Sequence, residues 1–406
     1  MDPSKYRGIS IGSSLCKVAM NIILNRLTSF YNSQLLRTQF GFRSGLGCND
    51  GIYAMKQLQD IACLSQRKLY CCFIDLTAAF DHANRDLLFK TIRCRLPPNT
   101  LSNNISIIEN LYRSTKSYMQ NDNPDSDSFD TTAGVRQGGK EGPPVFNLYN
   151  DFCLRVVIDR KHAAGVTGLG ISYHIPDEAT DRSQKSRAPA SGEFNDDECG
   201  YADDLAAMCW SLEELQICMD LISQVFSEFG LTISLDKTKT LIFNWNSALD
   251  GEYPESIATI NNQEIENLTS FKYLGVWFTG DCLSIGNDEI DHRVSSAHNA
   301  FAEHRSLLTN MKINLNTRMM FLQSLVRSRL TYGCHCWRPN LQELNKIEST
   351  YRFFLRCMVW NGHTRVNPPA RDPSETETEE DIDLRFVITN DRLYELTKST
   401  TIQEFY

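Results

Sequence analysis

The stretch "CGYADDLAAMCW", Cys199 to Trp210, sets two adjacent carboxylates, Asp203 and Asp204, inside an apolar run. Like charges at one site raise each other's pKa, and burial adds to the cost. Two readings follow. Either the pair sits at a strand end where a divalent cation neutralises it, or it tips an exposed turn and faces water. The stretch alone fits both.

Outward from it, the neighbouring segments define an α+β chain. "LYCCFIDL" (69–76) is a continuous apolar run that reads as a buried central strand delivering Asp75 at its C-terminal end. "SLEELQICMDLISQVFSEFG" (211–230) opens with a capping box, Ser211 with Glu214 three residues on. Its apolar stripe is Leu215, Met219, Ile222, Phe226 and Phe229, and Gly230 supplies the stop. Residues 11–36 read as a helix, with Leu15, Val18, Ile22, Ile23 and Leu27 at near-helical spacing. "GPPVFNLYNDFCLRVVI" (142–158) begins with prolines suited to a first helical turn. "TKTLIFNW" and "FKYLGVWF" read as strands, 121–130 as a loop, and 174–198 as a long polar insertion. From about Asp288 to Arg356 the pattern is helical, with Pro339 breaking one connection. Neither a P-loop nor G-x-G-x-x-G is present, which argues against those nucleotide sites.

The 406 residues allow two or three domains. The formal net charge of −9 argues, as an average, against a nucleic-acid binder. The distribution is uneven, however. Residues 371–385 hold seven acids against two bases, the pattern of a solvated acidic run. His292 to Gly333 carries six Lys/Arg and one acid, Glu303, and residues 1–60 carry seven bases and three acids. Basic flanks of this kind suit a polyanion held between them, and equally suit ordinary solvated faces. The 14 cysteines include no C-x-x-C pair, and Cys334-His335-Cys336 lacks zinc-site spacing. The expectation is reduced, mostly buried thiols in an intracellular protein, cytoplasmic or nuclear. No apolar run approaches the ~20 residues of a membrane span, and no signal-peptide core opens the chain.

Asp75, Asp203 and Asp204 all lie at strand ends or turns, where ligands converge. One carboxylate on one strand and two at a hairpin tip suit two divalent ions about 3.5–4 Å apart, which stabilise an in-line displacement at phosphorus. Mg²⁺ is the expected ion, with Mn²⁺ as the alternative, because carboxylate oxygens and substrate phosphates are its ligands.

Here the motifs become recognisable. "FIDLTAAFD" (73–81), "AGVRQGG" (133–139), "YADD" (201–204), "GLTISLDKTKT" (230–240) and "FKYLG" (271–275) resemble, in order and spacing, the palm motifs of reverse transcriptases. "YRGISI" (6–11), "NRL" (25–27) and "QFGFRSGLGCND" (39–50) resemble the fingers of non-LTR, LINE-type retrotransposons, and "RLTYGCHCW" (329–337) their thumb region. The resemblance implies a right-hand polymerase: fingers over 1–68, palm with insertions over 69–284, a helical thumb over 285–362, and an acidic, partly disordered tail over 363–406. It implies an RNA-directed DNA polymerase that uses an RNA template, a DNA primer and dNTPs.

Residue by residue, Asp75 and Asp203 match the family's metal-binding acids, and Asp204 the second acid of its hairpin. Phe80 matches the aromatic that excludes a ribose 2′-OH, with a core aromatic on a strand-to-helix turn as the alternative. Gln137 and Gly138 match the loop at the nascent base pair and incoming nucleotide. Lys237 matches the proton donor to leaving pyrophosphate, with Lys239 its rival. Arg7 matches the fingers arginine on the triphosphate, and Arg43 is a second candidate there. Arg318, Arg327 and Arg329, in the basic helical region, are expected to meet duplex phosphates. The chain departs from the family at Gly139 to Pro144, "GKEGPP", where Cys and then Pro-Leu-x-Pro are usual. It also begins almost at "YRGIS" and carries no endonuclease motif, so a fragment or decayed copy is expected. The alternative is an inactive remnant that at most binds nucleic acid. A metal-dependent nuclease shares the acids but leaves Phe80, Gln137 and Lys237 unexplained.

Overall fold

A computed structural model describes residues 9–95, 102–113, 115–117, 129–166, 168–174, 191–194, 198–201, 204–280, 287–337, 339–359 and 390–402. The chain forms two compact units, Met1–Gly275 with Thr279–Cys282, and Val276–Phe278 with Leu283–Tyr406.

The first unit is built on a four-stranded antiparallel sheet. Strand β1 (Leu69–Ile74) lies between β3 (Asp204–Cys209) and β4 (Lys239–Phe243), and β2 (Glu198–Tyr201) pairs with β3 at one edge. Segment 38–40 covers that edge through Gly200 N to Thr38 O (3.0 Å) and Phe40 N to Gly200 O (2.8 Å). Five of the six β1 residues are buried, so no polar alternation survives in its sequence. On one face, Cys72, Ile74, Leu205 and Ala207 join the core formed with helices α3 (Gly142–Ala163) and α4 (Leu212–Glu228). On the other, Phe73 stacks on Phe271 at 4.4 Å between ring centroids. Helix α2 (Cys48–Leu64) packs against β2 and β4.

The local signals explain these elements. Ser211 caps α4 by accepting from Glu214 N at 3.1 Å, and Gly230, at φ +72°, ends it. Pro143 and Pro144 lie in the first turn of α3, where a missing N–H breaks no helical bond. Helix α1 (Ser14–Gln34) forms as expected, but only part of the expected stripe faces the core. Met20, Ile23, Leu27 and Tyr31 are buried, while Leu15, Val18 and Ile22 are 84%, 59% and 50% exposed. The helix carries two apolar stripes, and periodicity alone does not rank them.

The described residues of the second unit are mostly helical, with residues 276–278 in a strand. Helix α5 (Asn287–Glu303), the segment Leu315–Leu330 and α6 (Leu341–Val359) surround Phe301, Leu322, Val326, Tyr351 and Phe354. The segment Leu315–Leu330 includes a π-helical stretch at Leu322–Arg327. Helix α7 (Asn390–Thr397) and Ile402 complete this core, with Leu393 and Ile402 buried. Buried Glu348 anchors them, accepting from Ile402 N at 2.7 Å and from the Tyr394 hydroxyl. Among the described residues, 11 cysteines are free thiols, but Cys63 is disulfide-bonded, against the expectation of reduced thiols throughout. No helix of the described residues is long and apolar enough to cross a membrane.

Candidate active site

The register of β1 with β3 decides the geometry. Ile74 pairs with Leu205, so Asp75 and Asp204 emerge at the same end of two neighbouring central strands. Both line one cleft of about 360 Å³ with Lys237, Phe271, Lys272 and Tyr273. The Asp75 backbone is pinned from the 232–238 segment: its carbonyl accepts from Ser234 N at 2.8 Å, and its N–H donates to Thr238 Oγ1 at 3.4 Å. Tyr273 donates its hydroxyl to Asp204 O at 3.4 Å. Lys237 Nζ lies 3.2 Å from Asp75 Oδ2, whereas Lys239, on β4, pairs with Glu266 at 2.9 Å. The two rival lysines are two residues apart, and the start of β4 separates their destinations. Asp203 and Arg7 lie outside the described residues.

A second group of residues is fastened around Phe80. Its ring is partly buried and stacks on Phe146 at 4.5 Å. The Phe80 carbonyl accepts from Val135 N at 2.6 Å, and the Ala83 carbonyl from Gly134 N at 2.8 Å. Gly134, at φ +76°, has no room for a side chain, because a Cβ would sit 2.5 Å from Asp81 O. Arg85 clamps the junction by donating to the carbonyls of Gly134, Tyr112 and Thr131. Gln137 follows on this anchored loop. Its carbonyl accepts from Ser10 N at 2.6 Å, and its Nε2 lies 3.3 Å from each carboxylate oxygen of Asp81. Gly138, at φ +95°, would carry a Cβ only 2.8 Å from Ser10 O. The departing residues are accommodated beyond it. Lys140 donates to Asn21 Oδ1 of α1 at 2.8 Å, and buried Glu141 accepts from Tyr112 at 3.4 Å.

The arginines divide differently from the sequence expectation. Arg43 is no free phosphate ligand. Its guanidinium donates to Leu36 O, Gln39 O and Asn32 O at 2.8, 3.2 and 3.2 Å. These carbonyls end α1 and the turn after it, and the arginine satisfies groups the helix leaves unpaired. Arg318 is 4% exposed and donates to Leu308 O, Met358 O and Ile313 O. Burial pulls its pKa below the usual value. It therefore does not present its charge to a duplex. Arg327 is half-buried against the Tyr351 ring and donates to Thr400 at 3.4 Å. Arg329 is exposed. Sequence reasoning missed Asp81, Arg85 and Tyr273. The first two lie on either side of the Ala83 turn, and adjacency to Phe80 was the available signal for Asp81.

The family model for reverse transcriptase (RNA-dependent DNA polymerase) matches residues 1–278. The chain belongs to this family. Its antiparallel sheet backed by helices is an α+β arrangement. The Pol polyprotein of the type-2 retrotransposable element R2DM of Drosophila melanogaster is 24% identical over 287 residues, 68% of this chain and 24% of that protein. The RNA-directed DNA polymerase from mobile element jockey of Drosophila funebris is 25% identical over 385 residues, 90% of this chain and 37% of that protein. The chain thus spans roughly a quarter to a third of the length of these relatives. Among solved structures, telomerase from Candida tropicalis in complex with a fragment of telomeric RNA aligns with a TM-score of 0.46 and 11% identity, over 83% of this chain and 47% of that one. Reverse transcriptases use divalent metal ions.

Proposed function

We propose that this reverse transcriptase is the RNA-directed DNA polymerase portion of a non-LTR retrotransposon, extending a primer 3′-OH with dNTPs on an RNA template. The observation that carries the reading is the pair Asp75 and Asp204 at one end of adjacent central strands, with Lys237 in the same cleft. Residues 69–284 act as palm, 1–68 as fingers and 285–362 as thumb.

The donor set fits a hard divalent cation. Asp75 and Asp204 offer carboxylate oxygens in a solvent-open cleft, and Lys237 is the cation that now faces Asp75. These two acids, with Asp203, would hold Mg²⁺ or Mn²⁺. When bound, the ions supply charge neutralisation at the triphosphate and a lowered pKa at the attacking hydroxyl. The protein's own residues do the rest. The primer oxygen forms a bond to the α-phosphorus of the dNTP, and the bond to pyrophosphate breaks. Lys237, 68% exposed and mobile on its four-carbon stem, gives a proton to the leaving pyrophosphate. Phe80, braced by Phe146, excludes a 2′-OH by volume. Gln137 and Gly138 bound the nascent pair. Exposed Arg329 contributes a sequence-independent phosphate contact.

Primer extension on an RNA template tests this. The wild-type chain should extend the primer with dNTPs. Asp75→Asn and Asp203→Asn should fall to one common floor, because each removes part of a single unit, while template–primer binding at fixed salt holds. An Asp75→Asn chain that extends normally would refute the assignment. A wild-type chain that binds duplex but never extends would favour the remnant.

A further inference from the structure

Gln137 is a primary amide, and its two ends are chemically opposite: Oε1 accepts and Nε2 donates. Free in water, such a side chain rotates and offers either end. Here Nε2 lies 3.3 Å from both Oδ1 and Oδ2 of Asp81. An ionised carboxylate has no proton to give, so only the Nε2 end can face it. Turning the amide over would set Oε1 against two carboxylate oxygens. The backbone leaves no slack to relieve that clash. Gln137 O is tied to Ser10 N, Val135 N to Phe80 O, and Gly134 N to Ala83 O. Gly134 is pressed against the Asp81 carbonyl itself, with no room for a Cβ. Arg85 then holds the Gly134 carbonyl at 2.8 Å. Asp81 and Gln137 therefore sit on one rigid junction. Gln137 is half-buried, and its Oε1 makes no hydrogen bond among the described residues.

We propose that Asp81 is a positioning residue: its carboxylate fixes the amide of Gln137 so that the loop presents only an acceptor, Oε1, to an N–H or O–H donor of the bound nucleotide. The inference rests on the polymerase reading above. It assigns Asp81 no contact with substrate. Its effect passes through Gln137, so it acts on nucleotide binding rather than on the chemical step.

The experiment is single-nucleotide incorporation on an RNA template, with dNTP KM and kcat measured for four chains: wild type, Asp81→Asn, Gln137→Glu and the double variant. Gln137→Glu sets two carboxylates face to face, and KM should rise roughly ten- to hundred-fold, the scale of a lost charge-assisted hydrogen bond. Asp81→Asn frees the amide to rotate and should raise KM by less, about three- to tenfold. In the double variant the amide introduced at position 81 donates to the carboxylate introduced at position 137, and an acceptor again faces the nucleotide. KM should then return to within about threefold of Asp81→Asn, with kcat little changed throughout. Thermal unfolding of the same four chains separates positioning from folding, since a loop-stabilising role alone would lower melting temperatures without a KM rescue. An additive double variant in an active wild-type background overturns the proposal and leaves the polymerase reading intact. A wild-type chain without incorporation overturns that reading, and the proposal falls with it.

Discussion

Arg318→Gln separates buried charge from usable charge. The side chain donates through Nη1 to Leu308 O at 3.2 Å and Met358 O at 2.7 Å, and through Nε to Ile313 O at 3.1 Å. The first two bonds are buried, and the residue is 4% exposed. A shorter amide cannot span all three carbonyls. Leaving one buried polar group unpaired costs about 1–3 kcal/mol, so losing the two buried bonds should cost roughly 2–6 kcal/mol. That is a large share of the ~5–15 kcal/mol that stabilises a typical domain. Urea and thermal unfolding should show a markedly earlier transition. The fraction still folded should bind template–primer duplex with the wild-type salt dependence, because this guanidinium meets no phosphate. Arg329→Gln is the counterpart. It should leave unfolding unchanged and flatten the salt slope by about one. If Arg318→Gln kept full stability while flattening that slope, the guanidinium would face the duplex and the buried carbonyl network would be wrong.

Three further outcomes are expected. Lys237→Ala should lower extension strongly through kcat, while Lys239→Ala, which loses a pair with exposed Glu266, should change extension little; equal losses from the two, measured by primer extension, would remove Lys237 from the site. Gly134→Ala forces a Cβ to within 2.5 Å of Asp81 O at φ +76°, so the melting temperature and dNTP affinity should fall together, and an unchanged thermal melt would contradict the packing. Phe80→Val should raise rNTP use relative to dNTP if the ring excludes the 2′-OH as proposed, and should also lower the melting temperature because the ring stacks on Phe146; a lower melting point with an unchanged rNTP/dNTP ratio would leave it a packing residue.

What could be read from the sequence depended on whether the cause was local. β1 was legible because helices and Phe271 cover both of its faces, which forces an unbroken apolar run. α4 was legible because Ser211 and Gly230 write its ends directly. Asp75 and Asp204 were legible as strand-end acids, although only the Ile74–Leu205 register brings them to one cleft. Arg43 was misread because its partners come from the end of α1, and Phe42, at φ +53°, helps turn the chain back towards them. Composition marks a guanidinium as available, and it cannot record which carbonyls need it. The C-terminal residues 390–402 were grouped with an acidic run, yet Leu393 and Ile402 are core residues of the second unit.

The misplacement of Arg318 has a geometric cause. Arg318 and Arg329 are 11 residues apart, which is about three turns of an α-helix at 3.6 residues per turn. On an uninterrupted helix both would share one face, and a run of basic residues there would read as one stripe. Between them, Leu322–Arg327 is π-helical. Bonds from i to i+5 place more residues in each turn, so side chains beyond the insertion rotate relative to those before it. Arg318 then points into the core, Arg327 lies half-buried over Tyr351, and Arg329 is exposed. No residue in "FLQSLVRSRL" announces that change of period. The π-stretch nonetheless sets how many of the three arginines can meet a phosphate. Its extra residue gives the step from Arg318 to Arg329 the rotation of about ten α-helical residues, roughly 80° short of three full turns. Deleting one residue within Leu322–Arg327 should restore α-helical bonding with that rotation kept, so Arg329 should stay exposed and duplex binding should keep the wild-type salt slope. A deletion that folds yet flattens the slope would show that the π-stretch does not set the placement of Arg329 in this way.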